Sequence, residues 1–131
     1  RPPIISCNDA EQTIAAAQKQ DATIIDARPP ARFRGEAPPL DPSEGHIPGA
    51  INIPADTLGT SDRFKTCVAE SRRIIAYCGS GIIACNVVLA AQALGRGDVE
   101  LYAGSWSDWA ARRLPAWSGA ETGPHPVMTE P

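Results

Sequence analysis

The chain has 131 residues, with 12 Lys and Arg against 15 Asp and Glu and a net charge of −3. That length fits one domain with its own core, and the balanced charge offers neither a basic face for nucleic acid nor a like-charged tail. The longest apolar stretch, Ile82 to Leu94, is too short for a bilayer and carries Asn86 and Gln92, so no membrane span is expected.

Taken in order, short apolar runs alternate with helical patterns. Pro3-Ile4-Ile5-Ser6 reads as a strand, and Asn8-Asp9 cap a helix to about Gln20. Residues 22–26 are an apolar run of strand length, closing on Asp26-Ala27-Arg28-Pro29-Pro30. Residues 29–49 are rich in Pro, Gly and charge and read as a long loop with one helical turn near Ala31–Arg34. Ala50–Ile53 is a brief strand stopped by Pro54, with short helices near 56–59 and 62–71. Residues 73–77 form a strand, and the stretch from Ile82 forms a helix ended by Gly95 and Gly97. Val99–Tyr102 is a last strand, and Ser105 caps a final helix from Trp106 to Arg113. The domain is expected to span 1–118, with 119–131 a flexible tail. A chain that opens on Arg1 rather than methionine is read as a processed form or a piece of something longer.

Alternating strands and helices predict an α/β fold with a central parallel sheet of about five strands and helices on both faces. Ligands bind such sheets at the carboxyl ends of the strands. Asp26-Ala27-Arg28, Cys78 and Gly104-Ser105-Trp106 all fall there. Cys78 is the residue of most interest. It stands between a strand and a helix, followed by Gly79-Ser80-Gly81. Unpaired N–H groups at a helix start, together with the helix dipole, stabilise an anion such as a thiolate. The glycines let the backbone fold closely around the sulfur.

The four cysteines (Cys7, Cys67, Cys78, Cys85) are too few and too scattered for a disulfide framework, and no Cys-x-x-Cys spacing points to zinc. No cofactor and no metal are expected. Cys85 reads as a small buried hydrophobe, and Cys7 and Cys67 carry no motif. Unpaired cysteines favour a reducing, cytoplasmic compartment.

Four segments together resemble the rhodanese-like domain, in particular the catalytic domain of thiosulfate and 3-mercaptopyruvate sulfurtransferases. They are Ile25-Asp26-Ala27-Arg28 with Arg32-Phe33-Arg34-Gly35, then residues 45–54 (Gly-His-Ile-Pro-Gly-Ala-Ile-Asn-Ile-Pro), then Cys78-Gly79-Ser80-Gly81, then residues 101–109 from Leu101 to Trp109. The resemblance implies transfer of a sulfane sulfur from a small anionic donor to a thiol, such as thioredoxin or a small thiol, or to cyanide. Cys78 would be the nucleophile and would carry a persulfide between two half-reactions. It implies that the amides of Gly79, Gly81, Ile82 and Ile83 cradle that anion, and that Arg32 grips the donor's carboxylate or sulfonate. Ser80 is implied as a proton relay or substrate contact. Asp26 and Arg28 match a structural pair, His46 a scaffold position, and Trp106 and Trp109 packing positions, with Trp106 also a candidate pocket wall.

The chain departs from the family pattern in three places. Asp41 stands where mercaptopyruvate enzymes carry a second arginine. Ile83 replaces a loop threonine. The stretch from Pro54 to Arg73 is short. Two-domain relatives also place a second rhodanese-like domain against the site. A second domain or chain is therefore a candidate partner, and the alternative function is a non-catalytic or partner-dependent module that carries sulfur or binds a protein. A cysteine phosphatase would need an arginine at Ala84.

Overall fold

The computed structural model describes residues 6–36, 43–80 and 82–119. Strand β1 (Ser6–Asn8) leads into helix α1 (Ala10–Lys19), then β2 (Thr23–Asp26), α2 (Pro30–Arg34), β3 (Ile51–Asn52) and a 3₁₀ turn at Ala55–Thr57. Helix α3 (Asp62–Glu70), β4 (Ile74–Tyr77), α4 (Ala84–Ala93), β5 (Glu100–Tyr102) and α5 (Ser105–Ala111) complete it. The five strands form one sheet in the order β1-β5-β4-β2-β3, and every pairing is parallel.

Side-chain alternation along the strands divides the core into two layers. Ile25, Ile74, Ala76 and Leu101 face one way and pack with Phe64 and Val68 of α3 and Val87, Val88 and Ala91 of α4. Their neighbours Ile24, Ile75, Tyr77 and Tyr102 face the other way, against Ala10 and Ala16 of α1, Phe33 of α2, and Trp106 and Trp109 of α5. Helices therefore cover both faces, as the alternation of elements predicts. Cys78, two residues beyond Ala76, belongs to the α3–α4 layer.

Local chemistry sets the ends of the elements. Asp9 accepts the Gln12 N–H while the Gln12 side chain returns to the Asp9 N–H, which closes a reciprocal cap on α1. Ser61 caps α3 through the Phe64 N–H. At the far end of α4, Gly95 takes φ +91, the Arg96 N–H reaches the Ala91 carbonyl, and the Gly95 N–H reaches Gln92. That is the pattern a glycine permits just past a helix.

Three boundaries differ from the sequence reading. The first strand lies at Ser6–Asn8, so Asn8 belongs to the strand and Asp9 alone caps α1; residues 3–5 lie outside the described residues. Helix α4 begins at Ala84, because Ile82 and Ile83 form an exposed turn before it. Ser105 does not cap α5: Gly104 holds that position without a side-chain bond, and the Ser105 hydroxyl turns to the main chain of other elements. The expected tail beyond Gly119, and Asp41, lie outside the described residues.

Candidate active site

Strand register puts Asp26 beside Tyr77 and Ala76 beside Leu101, so the chain segments after β2, β4 and β5 emerge together at the carboxyl edge of the sheet. They enclose a pocket of about 370 Å³, lined by Ala27, Arg28, Pro29, Arg32, Cys78, Gly79, Ser80, Ile83, Trp106 and Ser107. Of the residues singled out from sequence, the pocket thus gathers Cys78, Gly79, Ser80, Arg32 and Ile83. Ile82 stands outside its wall, 77 % exposed. Gly81 lies outside the described residues.

Cys78 is buried, and its Sγ accepts the Ala84 N–H at 3.2 Å, at the first turn of α4. The N–H groups of Gly79, Ser80, Ile82 and Ile83 have no hydrogen-bond partner among the described residues. A loop with this many unanswered donors beside one sulfur is suited to an anion held at that sulfur, with no cationic side chain in the loop itself.

Two arginines reach the pocket, and they differ in kind. Arg28 is buried. Its Nη2 lies 2.7 Å from Asp26 Oδ2, and it also donates to the Gly45 carbonyl. Its guanidinium lies over the Trp106 ring, 4.8 Å from the centroid. Burial works against its charge, but the hydrogen bond and attraction of Asp26 outweigh that and hold its pKa above the ordinary value. Asp26 thus spends the charge of Arg28 on bracing the loop after β2, together with Asn52, which donates to the Asp26 and Arg28 carbonyls. Arg32 is different. It sits on the short helix α2, its side chain is 23 % exposed, and its Nη1 lies 3.5 Å from Glu44 Oε1. A longer, partly solvated pair of this kind yields more readily to an incoming anion.

Trp106 both packs and walls the pocket, and its Nε1–H donates to the Ser43 carbonyl at 3.1 Å. Trp109 lies in the core and donates to the Pro115 carbonyl. His46 is fully buried away from the pocket. Its Nδ1 is 2.8 Å from the Phe33 carbonyl, and its ring stacks on Phe33 at 3.7 Å. Its main chain pairs with Trp117 in both directions. Tyr77, behind Cys78 in β4, accepts the Ile47 N–H at 3.0 Å; burial and then the charge of Asp26 push its phenol well above the ordinary value. Cys67 and Cys85 pack against the α3–α4 core layer, and Cys7 is exposed on β1. No group of His, Cys, Asp and Glu among the described residues is placed to hold a metal ion. No helix of the described residues is long and apolar enough to cross a membrane.

Sequence reasoning missed Ser105, Ser107 and Glu44. The first two follow a strand end, which is a signal, but the main-chain atoms of Cys78 and Gly79 that they bond are far away in sequence.

Fold and site together define a class: a doubly wound α/β domain with a cysteine heading an anion-holding loop at the carboxyl edge of its sheet. The family profile of the Rhodanese-like domain matches residues 9–112, and the chain belongs to that family. It is 40 % identical over 112 residues to the 3-mercaptopyruvate sulfurtransferase of Escherichia coli K12, covering 76 % of this chain and 40 % of that protein. It is 39 % identical over 101 residues to the putative thiosulfate sulfurtransferase SseB of Mycobacterium tuberculosis, covering 68 % of this chain and 35 % of that protein. The chain thus spans well under half the length of these relatives. Among solved structures, the Tum1 protein of Saccharomyces cerevisiae aligns with a TM-score of 0.70 at 22 % identity, over 88 % of this chain and 47 % of that one. A variant of EanB, with ergothioneine covalently linked to a persulfide cysteine, aligns at 0.75 with 18 % identity, over 88 % and 28 %.

Proposed function

We propose that this domain transfers a sulfane sulfur from a small anionic donor to a nucleophilic acceptor through a persulfide on Cys78. The observation that carries the reading is the Cys78 sulfur itself. It meets the Ala84 N–H at the head of α4, in a loop whose Gly79, Ser80, Ile82 and Ile83 amides have no partner among the described residues, and it lines a pocket with Arg32.

The Cys78 thiolate attacks the outer sulfur of the donor. With thiosulfate, the S–S bond breaks and sulfite leaves with the electron pair. With 3-mercaptopyruvate, the C–S bond breaks and pyruvate leaves as its enolate, which takes up a proton; Ser80, on the pocket wall, supplies a hydroxyl to pass it. Cys78 is left as Cys78–S–S⁻, and its new negative charge falls where the loop amides concentrate. An acceptor thiolate or cyanide then attacks the outer sulfur, takes it as a persulfide or thiocyanate, and restores the Cys78 thiolate. Arg32 holds the donor's anionic end in the first half-reaction and has no role with cyanide in the second.

Names among the relatives support both donors. One observation favours a second reading, a module that receives or delivers sulfur against another protein surface. Among the described residues, the exposed large hydrophobic side chains, Ile82, Ile83, Leu89 and Leu94, lie on α4 and its two ends, and Ile83 borders the pocket.

Incubation with thiosulfate or with 3-mercaptopyruvate, followed by intact mass, tests the chemistry. The expected product carries one added sulfur, about 32 Da, on Cys78, and cyanide removes it. No adduct from either donor overturns the catalytic reading and leaves the module.

A further inference from the structure

The start of α5 grips the Cys78 loop by its main chain. Ser105 is fully buried and holds φ +55, a conformation that L side chains disfavour. Its hydroxyl donates to the Tyr102 carbonyl at 2.9 Å and accepts the Cys78 N–H at 3.0 Å. The Trp106 N–H donates to the Cys78 carbonyl at 2.8 Å, and the Ser107 N–H to the Gly79 carbonyl at 2.9 Å. Successive residues of α5 thus hold successive residues of the loop.

A trans peptide points its C=O and N–H in opposite directions. Holding the Cys78 and Gly79 carbonyls on α5 therefore turns the Gly79 and Ser80 N–H groups away from it. These are two of the amides without partners among the described residues. Donors of this kind stabilise a charge fully only when they are aligned before it arrives. Backbone strain that the surroundings maintain clusters at functional sites.

We propose that Ser105 is a positioning residue for Cys78, its hydroxyl locking the Cys78 peptide so that the loop amides are aligned for an anionic sulfur. This rests on Cys78 being the reactive thiolate and is independent of the donor. Ser105 itself touches no substrate; it acts through the main chain of Cys78.

Two variants test it. Ser105→Gly removes the hydroxyl and relieves the unfavourable φ, which offsets part of the stability lost with the two bonds. Ser105→Ala removes the hydroxyl and keeps the φ. The first readout is the rate of iodoacetamide alkylation across pH, resolved to Cys78 by peptide mass because Cys7 is exposed and reacts as well. The second is kcat and KM for the donor. In both variants alkylation of Cys78 should move to higher pH, and kcat should fall about tenfold with KM within about twofold. A pH profile and kcat matching the unaltered protein, with only the melting temperature lowered, would make Ser105 merely structural and overturn the proposal. If the unaltered protein takes up no sulfur from either donor, the transfer reading fails, and the alkylation profiles still decide this one.

Discussion

Replacing Arg32 by Ala should weaken donor capture and leave the later chemistry intact. A hydrogen bond to a charged group contributes about 1.5–3 kcal/mol. Two features of the site push Arg32 toward the low end. Its side chain is 23 % exposed, so water screens it, and Glu44 stands 3.5 Å away to receive the guanidinium when the donor leaves. About 1.5 kcal/mol then corresponds to a rise in KM of roughly tenfold. Glu44→Gln removes a competing carboxylate and should act in the opposite direction, lowering KM about twofold, as expected for a partly solvated pair. Thiocyanate formation from thiosulfate at saturating cyanide measures both, across donor concentrations. The KM ratio between Arg32→Ala and the unaltered protein should shrink as salt rises, since part of the attraction is screened. An Arg32→Ala protein with unchanged donor KM at low salt would refute the clamp and leave Arg32 a structural residue.

Other outcomes follow from the same geometry. Asp26→Ala strands the buried Arg28 charge and should cost about 3–5 kcal/mol, read by urea denaturation; a loss near zero would show that the Gly45 carbonyl and Trp106 suffice to hold Arg28. Gly45→Ala would bring a Cβ to 2.3 Å from the Trp117 carbonyl at a φ of +117, whereas Gly49→Ala has open space and only its φ of +87 against it. The first should therefore be far more destabilising than the second, and equal losses would refute the close approach. On the acid side, Arg73 holds Glu100 below its ordinary value of 4.5. A depressed carboxyl adds stability above that value and loses it as pH falls further, so Glu100→Gln should flatten the decline in melting temperature below about pH 4.5. On the alkaline side, burial raises Tyr77 well above its ordinary value of 10.0. Its stabilisation is complete below that value and is lost above it, so phenolate absorbance from Tyr77 should appear together with unfolding; a separate, earlier appearance would contradict its burial.

Much of this architecture was legible because neighbouring residues state it. Ile74-Ile75-Ala76-Tyr77 reads as a strand buried on both faces, and the two core layers take its residues alternately. Asp9 with Gln12 announces the start of α1 by chemistry three residues apart. The start of α4 was harder, since Ile82 and Ile83 continue its apolar run although they are exposed before the helix begins. Ser105 was misread for a related reason. A serine after glycine ahead of an apolar helix is the ordinary sign of a cap, but here its hydroxyl serves Cys78, a residue 27 positions earlier. Only the pairing of β4 with β5 brings the two together. The contrast between Arg28 and Arg32 is implied by the family resemblance, not by local chemistry: Asp26 is close in sequence to Arg28, but the Trp106 ring and the Gly45 carbonyl that also hold it are not.

The strand order has a consequence for how the domain is made. Among the described strands β1 pairs with β5 alone, and the main-chain grip on Cys78 comes from α5, the last of the described elements. During synthesis Cys78 emerges before the segment that fixes its loop, and the first strand waits for the last. The sheet therefore closes late, through contacts distant in sequence, the kind that form slowly. Until it does, the Cys78 thiol, the unpaired strand β1 and the open edge of β4 share one incomplete chain, and a stall after β4 leaves that chain open to oxidation and to edge pairing with its neighbours.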